Sequence, residues 1–235
     1  MNTWQKIIKY FAIGFACFLI FTILSGIVFG ALGILTATKL IEKNSHVEIS
    51  CEVDEEPCLE IAMAASELVI KKGDKLYAES EYDKVEIKQE GNRIAISEGN
   101  ANVFGDYDKR TTTVYVPEDM EFKKVGISGG AGRIYIEAIK AKEMELSLGV
   151  GETSVDSLEV DKIKVSAGIG AVNLHLASPA SEYKVKISKG IGDARFNGKV
   201  VGNDETFGDG VREVEVSGGI GAIDITTVEE KKAEE

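Results

Sequence analysis

Five serines recur at one position of a repeated pattern: Ser128, Ser147, Ser166, Ser188 and Ser217. A serine becomes a nucleophile when a base sits beside it. No base recurs beside these, and the chain has two histidines. His46 precedes the repeats. His175 alternates with Leu174 and Leu176, which puts it on the outer face of a strand. No Ser–His–acid or Cys–His set can be assembled, so the expectation is that no residue is catalytic. The serines are expected to bond corner backbone or to stack in a ladder. Outward carboxylates such as Glu152, Asp156 and Asp224 could act in pairs on a sugar, but an acidic surface brings carboxylates together by chance.

Metal chemistry has little more to work with. The Gly-Gly-x-Gly segments invite comparison with calcium-binding nonapeptide repeats, whose Asp position here holds Ile134 in the first unit and Ile223 in the last. Asp204, Glu205 and Asp209 offer hard oxygen ligands without an EF-hand pattern, and they read as a solvated acidic loop or a binding loop. Asp106/Asp108 and Asp54–Glu56 read as solvated. No metal and no cofactor is expected. Gly-x-Gly turns cradle phosphate when they open a helix. These open strands, which argues against a nucleotide site. Cys51 and Cys58 bracket an acidic turn, and they read either as a disulfide of an oxidising compartment or as two free thiols.

The elements that hold these residues form a repeat. Val125-Gly-Ile-Ser-Gly-Gly-Ala-Gly-Arg-Ile-Tyr-Ile136 aligns with 144–155, 163–174, 185–196 and 214–225. The shared pattern is apolar-x-apolar-Ser-x-Gly-x-Gly, then an alternating apolar strand. The serines are spaced 19, 19, 22 and 29 apart. A period near 20 residues is the mark of a solenoid, in which no strand buries its apolar face alone and stacked coils bury all of them. The expected fold is all-β: a β-solenoid, parallel β-helix-like, with coils of about 19 residues. The corner glycines are Gly130/Gly132, Gly149/Gly151, Gly168/Gly170, Gly190/Gly192 and Gly219/Gly221, supplying positive φ or close backbone approach. The residue between them is Ala131, Val150, Ile169, Ile191 or Ile220, and it is expected to point inward and plug the corner. The longer spacings place inserts at 177–182 and 198–212.

Residues 59–117 also alternate, less regularly. Glu90-Gly91-Asn92 reads as a hairpin turn. Thr111–Val116 reads as a strand stopped by Pro117. These segments are expected to cap the first coil.

The amino-terminal part is different. Tyr10 to Thr38 carry no charge, long enough for the roughly 20 residues of a spanning helix. A cleaved signal peptide is the alternative reading. Gly26 and Gly30 form a GxxxG pair that suits a weak helix homodimer. Residues 1–44 carry +3, and the other 191 carry −15, within a net charge of −12. So acidic a domain excludes nucleic acid and favours a cationic ligand or a basic envelope protein. The expected layout is a cytoplasmic 1–9, a transmembrane helix 10–38 in the lipid bilayer, a linker 39–58, a solenoid 59–226 outside the membrane, and a charged tail 227–235.

Residues 59–226 resemble the bacterial envelope family labelled "putative adhesin", a β-strand-repeat domain without an assigned activity. The cues are Ala65-Ser-Glu-Leu-Val-Ile-Lys-Lys-Gly-Asp74, Val114-Tyr-Val-Pro-Glu-Asp119, Ser128-Gly-Gly-Ala-Gly132, and Gly208-Asp-Gly210 followed by Ser217-Gly-Gly-Ile-Gly221. The resemblance implies a single-pass cell-membrane protein with its domain outside the cell. Some relatives, including the G component of an envelope-stress operon, are linked to envelope sensing. It brings no catalytic residues. Two functions are compatible with it: non-catalytic binding or sensing at the envelope, and structural assembly with another membrane protein through the spanning helix.

Overall fold

The computed structural model describes residues 45–48, 56–80, 82, 85–98 and 110–229. The expected spanning run, Gly26, Gly30 and Cys51 lie outside them. Among the described residues no helix is long and apolar enough to cross a membrane.

The described chain is all-β and solenoid-like. Its strands are β1 (Ser45–Glu48), β2 (Cys58–Lys72), β3 (Tyr77–Ser80), β4 (Val85–Glu90), β5 (Arg93–Glu98), β6 (Thr111–Val116), β7 (Glu121–Ile136), β8 (Ile139–Pro179), β9 (Tyr183–Ile191), β10 (Ala194–Phe196), β11 (Lys199–Val200), β12 (Glu205–Phe207) and β13 (Arg212–Val228). The long strands bend at the Gly corners: β2, β7 and β13 are one rung each, β8 runs through two, and β9 with β10 makes the last.

Rungs pair in parallel and in strict register. Val125 faces Met144 and Leu59, and Ile134 faces Thr153 and Leu68. The apolar positions therefore fall in continuous rows. Leu59, Val125, Met144, Ile163, Val214 and Val185 form one such row, and all six are buried. Burial of these rows is what a single strand cannot achieve by itself.

The rungs are not stacked in chain order. β13, which carries the last repeat, lies between the third repeat and the fourth. It pairs with β8 from Glu213↔Lys162 onward and with β9 from Arg212↔Tyr183 onward. The fourth repeat is the terminal rung. Three extra residues near the 3-10 turn Ala180–Glu182 carry the chain past one rung. At about 3.3 Å per residue they add roughly 10 Å, ample for a rung spacing of about 4.8 Å.

Both ends are closed by antiparallel strands. At the first end β5 and β6 pair in parallel with the two halves of β2, and β4 and β3 then pair antiparallel with them. Gly91, at φ 55°, makes the β4–β5 turn. At the other end the 198–212 insert folds back. β11 pairs antiparallel with β10 and β12 with β9. Phe207 meets Phe196 with ring centroids 5.3 Å apart, and Val201, whose N–H donates to Ala194 O, is buried. A bare parallel edge would be a template for aggregation, and these strands cover it.

Candidate functional site

The corners are the most regular feature of the surface. The second glycine of each pair has φ between 130° and 146° at Gly132, Gly151, Gly170, Gly192 and Gly221, a region open in practice to glycine alone. A Cβ on Gly151 would fall on the carbonyl oxygen of Gly132, and one on Gly170 would fall on that of Gly151. The first glycines behave likewise: a Cβ on Gly149 would strike Gly130 O, and one on Gly168 would strike Gly149 O. Both glycines are needed because their Cβ positions point along the stack into the preceding rung.

These contacts also give a direction. Ala64, Gly130, Gly149, Gly168 and Gly219 each aim a carbonyl at the following rung. The peptides of the corner column are therefore aligned. Their N–H groups emerge at the β2 end, and their last carbonyls emerge at Gly190 and Gly192. Aligned peptides favour an anion at the N–H end and a cation at the carbonyl end. Glu98 Oε2 accepts hydrogen bonds from the amides of Ala64 and Ala65 at 2.7 and 3.2 Å, and from Ser66 Oγ at 3.0 Å. At the far end Lys189 Nζ donates to Gly192 O at 3.0 Å. The sequence reading missed both caps. Lys189 carries a signal in hindsight: its counterparts are Gly129, Leu148, Ala167 and Gly218, and it is the one charged residue at that position.

The residue between the two glycines does not plug the corner. Val150, Ile169, Ile220 and Ile191 are 51%, 50%, 40% and 55% exposed. The side-chain alternation breaks inside the corner, where Leu148 faces in and Val150, two residues on, faces out. Leu148 fills the interior instead, at 3% exposure, where a Cβ on its counterpart Gly129 would strike it. Ala131↔Val150 and Ile169↔Ile220↔Ile191 are in register. The four large side chains thus form an apolar ridge roughly 14 Å long at a spacing of about 4.8 Å.

The serines stand in a row beside the ridge, with Ser217 facing Ser166 on one side and Ser188 on the other. Ser188 Oγ donates to Asp204 Oδ1 at 2.6 Å. This bond holds the tip of the acidic insert against the last corner, next to Ile191. Asp204 takes φ 57°, and Glu205 begins β12 opposite Ile187. Asp209 is exposed in the turn that leads into β13. Cys58 begins β2 and is half-buried.

The other outward rows alternate in charge. Lys124, Glu143, Lys162, Glu213 and Lys184 occupy successive rungs, and so do Glu145, Lys164, Glu215 and Lys186. Lys162 Nζ lies 2.8 Å from Glu213 Oε2, and Lys186 Nζ lies 3.0 Å from Glu215 Oε1. The hydrogen bond to Lys162, with its charge, lowers the Glu213 pKa, and the same bond raises that of Lys162. Residues 109–228 hold 15 basic and 18 acidic side chains, against 6 and 16 in residues 45–108. Along the sequence the acidity is thus concentrated in residues 45–108, while the repeats that follow are nearly balanced.

Two of the three outward carboxylates have partners as well. Asp156 accepts from Tyr135 OH at 2.5 Å, a bond that raises the tyrosine pKa. Glu152 lies beside Arg133 and Asn173, whereas Asp224, between Asn173 and Arg195 in register, has its Oδ1 buried without a hydrogen-bond partner. His175 Nδ1 is 2.9 Å from Thr226 Oγ1. Among the described residues no three His, Cys, Asp or Glu converge as a metal site. A depression between Pro117, Met120 and Ile139 holds about 80 Å³, against several hundred for a typical small-ligand pocket. The chemistry this surface supports is recognition along exposed rows.

An all-β stack of in-register rungs, with glycine corners and capped ends, defines the class. The chain belongs to the Toastrack DUF4097 family, whose model matches residues 58–229. Its fold is similar to that of a "putative cell adhesion protein" from Clostridium sporogenes, at TM-score 0.64 and 21% identity over 79% of this chain and 99% of that one. A "putative adhesin" from Bacteroides fragilis aligns at TM-score 0.33 and 10% identity, over 82% of this chain and 100% of that one. No curated protein matches.

Proposed function

We propose that this chain is a non-catalytic binding module of the bacterial cell envelope, carried outside the membrane by a helix at 10–38. The binding surface is the apolar ridge Val150, Ile169, Ile220 and Ile191, together with the acidic insert that meets its far end. One observation carries this reading. Large aliphatic side chains stand half-exposed in one row on the outside of four successive corners, where they add little to the core and where Ser or Thr would be more soluble. Ser188 holds Asp204 beside that row, with Glu205 and Asp209 in the same insert. A partner that fits offers apolar groups flanked by cations, as a basic protein patch or a cationic amphipathic peptide does.

The test is binding of such a peptide to the full chain in mild detergent. Ile169→Ser/Ile220→Ser should reduce affinity while the melting temperature stays nearly constant. Raising salt to about 0.5 M should weaken the charged part of the interaction. Binding that survives both changes would sink the proposal. The location is tested separately. A membrane-impermeant maleimide should reach Cys51 or Cys58 in intact cells, before or after reduction. Labelling that needs cell lysis would put the domain inside.

A further inference from the structure

The out-of-order rung defines a slot with its own recognition chemistry. One wall is the third repeat, which presents Lys162 and Lys164. The other wall is the fourth repeat, which presents Lys184 and Lys186. β13 enters between them with Glu213 facing Lys162 and Lys184, and Glu215 facing Lys164 and Lys186. If β13 were absent and the walls closed, lysine would meet lysine in both rows. The slot therefore selects an acidic strand twice over, by repulsion without one and by pairing with one. Its interior takes Val214, Val216, Ile223 and Ile225, all buried, and two Gly positions at the corner.

The segment that fills the slot is joined to the stack by a short hinge, Gly208-Asp-Gly-Val211. Gly208 has φ 71°, and a Cβ there would strike the Tyr183 carbonyl. Val211 is 92% exposed. A short, tightly bent hinge before an element that pairs on both edges is the arrangement that permits exchange between copies at little cost, because each slot keeps identical contacts.

We propose that the slot between the third and fourth repeats is a charge-coded strand acceptor, and that two copies of this chain can fill each other's slots by exchanging 212–228. Exchange would straighten the 208–211 hinge, relieve the bend at Gly208 and leave every ladder pairing in place. The partner is a second copy of the chain, recognised by the Glu-apolar-Glu-apolar strand.

Two full-length variants in detergent test it. The first is Glu213→Lys/Glu215→Lys, whose own strand meets lysine on both walls. The second is Lys184→Glu/Lys186→Glu, whose own strand meets glutamate on one wall. Apart, one of the four wall pairings across the two variants is opposite in sign. In a reciprocally exchanged heterodimer, three of the four are. Unfolded in urea and diluted together, the two should give a 1:1 dimer by native mass spectrometry. That dimer should exceed either homodimer at least about tenfold and melt several degrees above both variants. Co-dilution keeps the test open if either variant is unfolded alone. Two separate monomers with unrecovered stability would overturn exchange. The combined variant Glu213→Lys/Glu215→Lys/Lys184→Glu/Lys186→Glu should melt above Glu213→Lys/Glu215→Lys. A combined variant no more stable than that parent would overturn the charge coding.

Discussion

Gly170→Ala is the sharpest perturbation of the corner column. Gly170 sits in the interior of the stack with φ 146°, and an added Cβ would coincide with the carbonyl oxygen of Gly151. Two costs follow. Holding alanine at that φ costs about 1–3 kcal/mol. Forcing the methyl against a backbone oxygen costs about 1–3 kcal/mol more, because neither rung can yield without stretching its ladder. A total near 4 kcal/mol is a large part of the roughly 5–15 kcal/mol that holds a domain together. At about 2–4 °C per kcal/mol for a domain of this size, the melting point should fall by roughly 8–16 °C.

The controls separate the two costs. Gly91 has φ 55° with nothing near its Cβ position, so Gly91→Ala carries the dihedral cost alone, about 1 kcal/mol. Gly168 has no positive φ but would strike Gly149 O, so Gly168→Ala carries the steric cost alone. The assay is thermal and urea unfolding followed by far-ultraviolet circular dichroism. The expected order of stability loss is Gly170→Ala, then Gly168→Ala, then Gly91→Ala. If Gly170→Ala lost no more than Gly91→Ala, the aligned, close-packed column would be wrong.

Further outcomes follow from single groups. Thr153 occupies an otherwise apolar row between Ile134 and Val172, fully buried, with no partner for its Oγ1; Thr153→Val should raise stability by about 1 kcal/mol in urea unfolding. Glu98→Ala strips the cap from Ala64 and Ala65, should cost about 1–3 kcal/mol, and should speed hydrogen exchange at those two amides before others. Tyr115 is pushed up to about 12 by its hydrogen bond to Glu79. Its contribution to stability is full below pH 10 and is lost as pH rises toward 12. Phenolate absorbance should follow that titration, and Glu79→Gln should bring it down.

Most of the stack is legible in the sequence, because each rung writes the same pattern. Apolar alternation at Ile163/Val165 and Val172/Leu174 specifies which faces are buried, and the Gly pairs specify where the strands bend. The orientation of Ile169 and its counterparts is not legible by the same rule. Strict alternation is a property of extended chain, and it breaks inside the corner, so the side chain expected in the core stands in solvent. Glu98 was hidden for a different reason. Its role depends on the first rung having open amides, which no local pattern around Ser97-Glu-Gly99 announces.

The order of the rungs was written in the charges. Read along the chain, the outward position four residues before each serine holds Lys124, Glu143, Lys162, Lys184 and Glu213. Stacked in chain order, the third and fourth rungs would set Lys162 against Lys184. Two positions on, Lys164 would meet Lys186. Like charges directly opposed on neighbouring strands destabilise a sheet, and opposite ones support it by about 0.2–1 kcal/mol per pair. Placing the last repeat between the two turns both conflicts into Lys–Glu–Lys runs. The unequal spacings serve the same end. The insert at 177–182 lets the chain climb past a vacant rung, and the insert at 198–212 brings it back down. That second insert is long because it also covers the exposed edge with β11 and β12 on its return. An acidic loop that resembles a free-standing binding element is thus first a structural one, and the end of the ridge that it meets is fixed in place by the same fold-back that lets the final strand enter the slot.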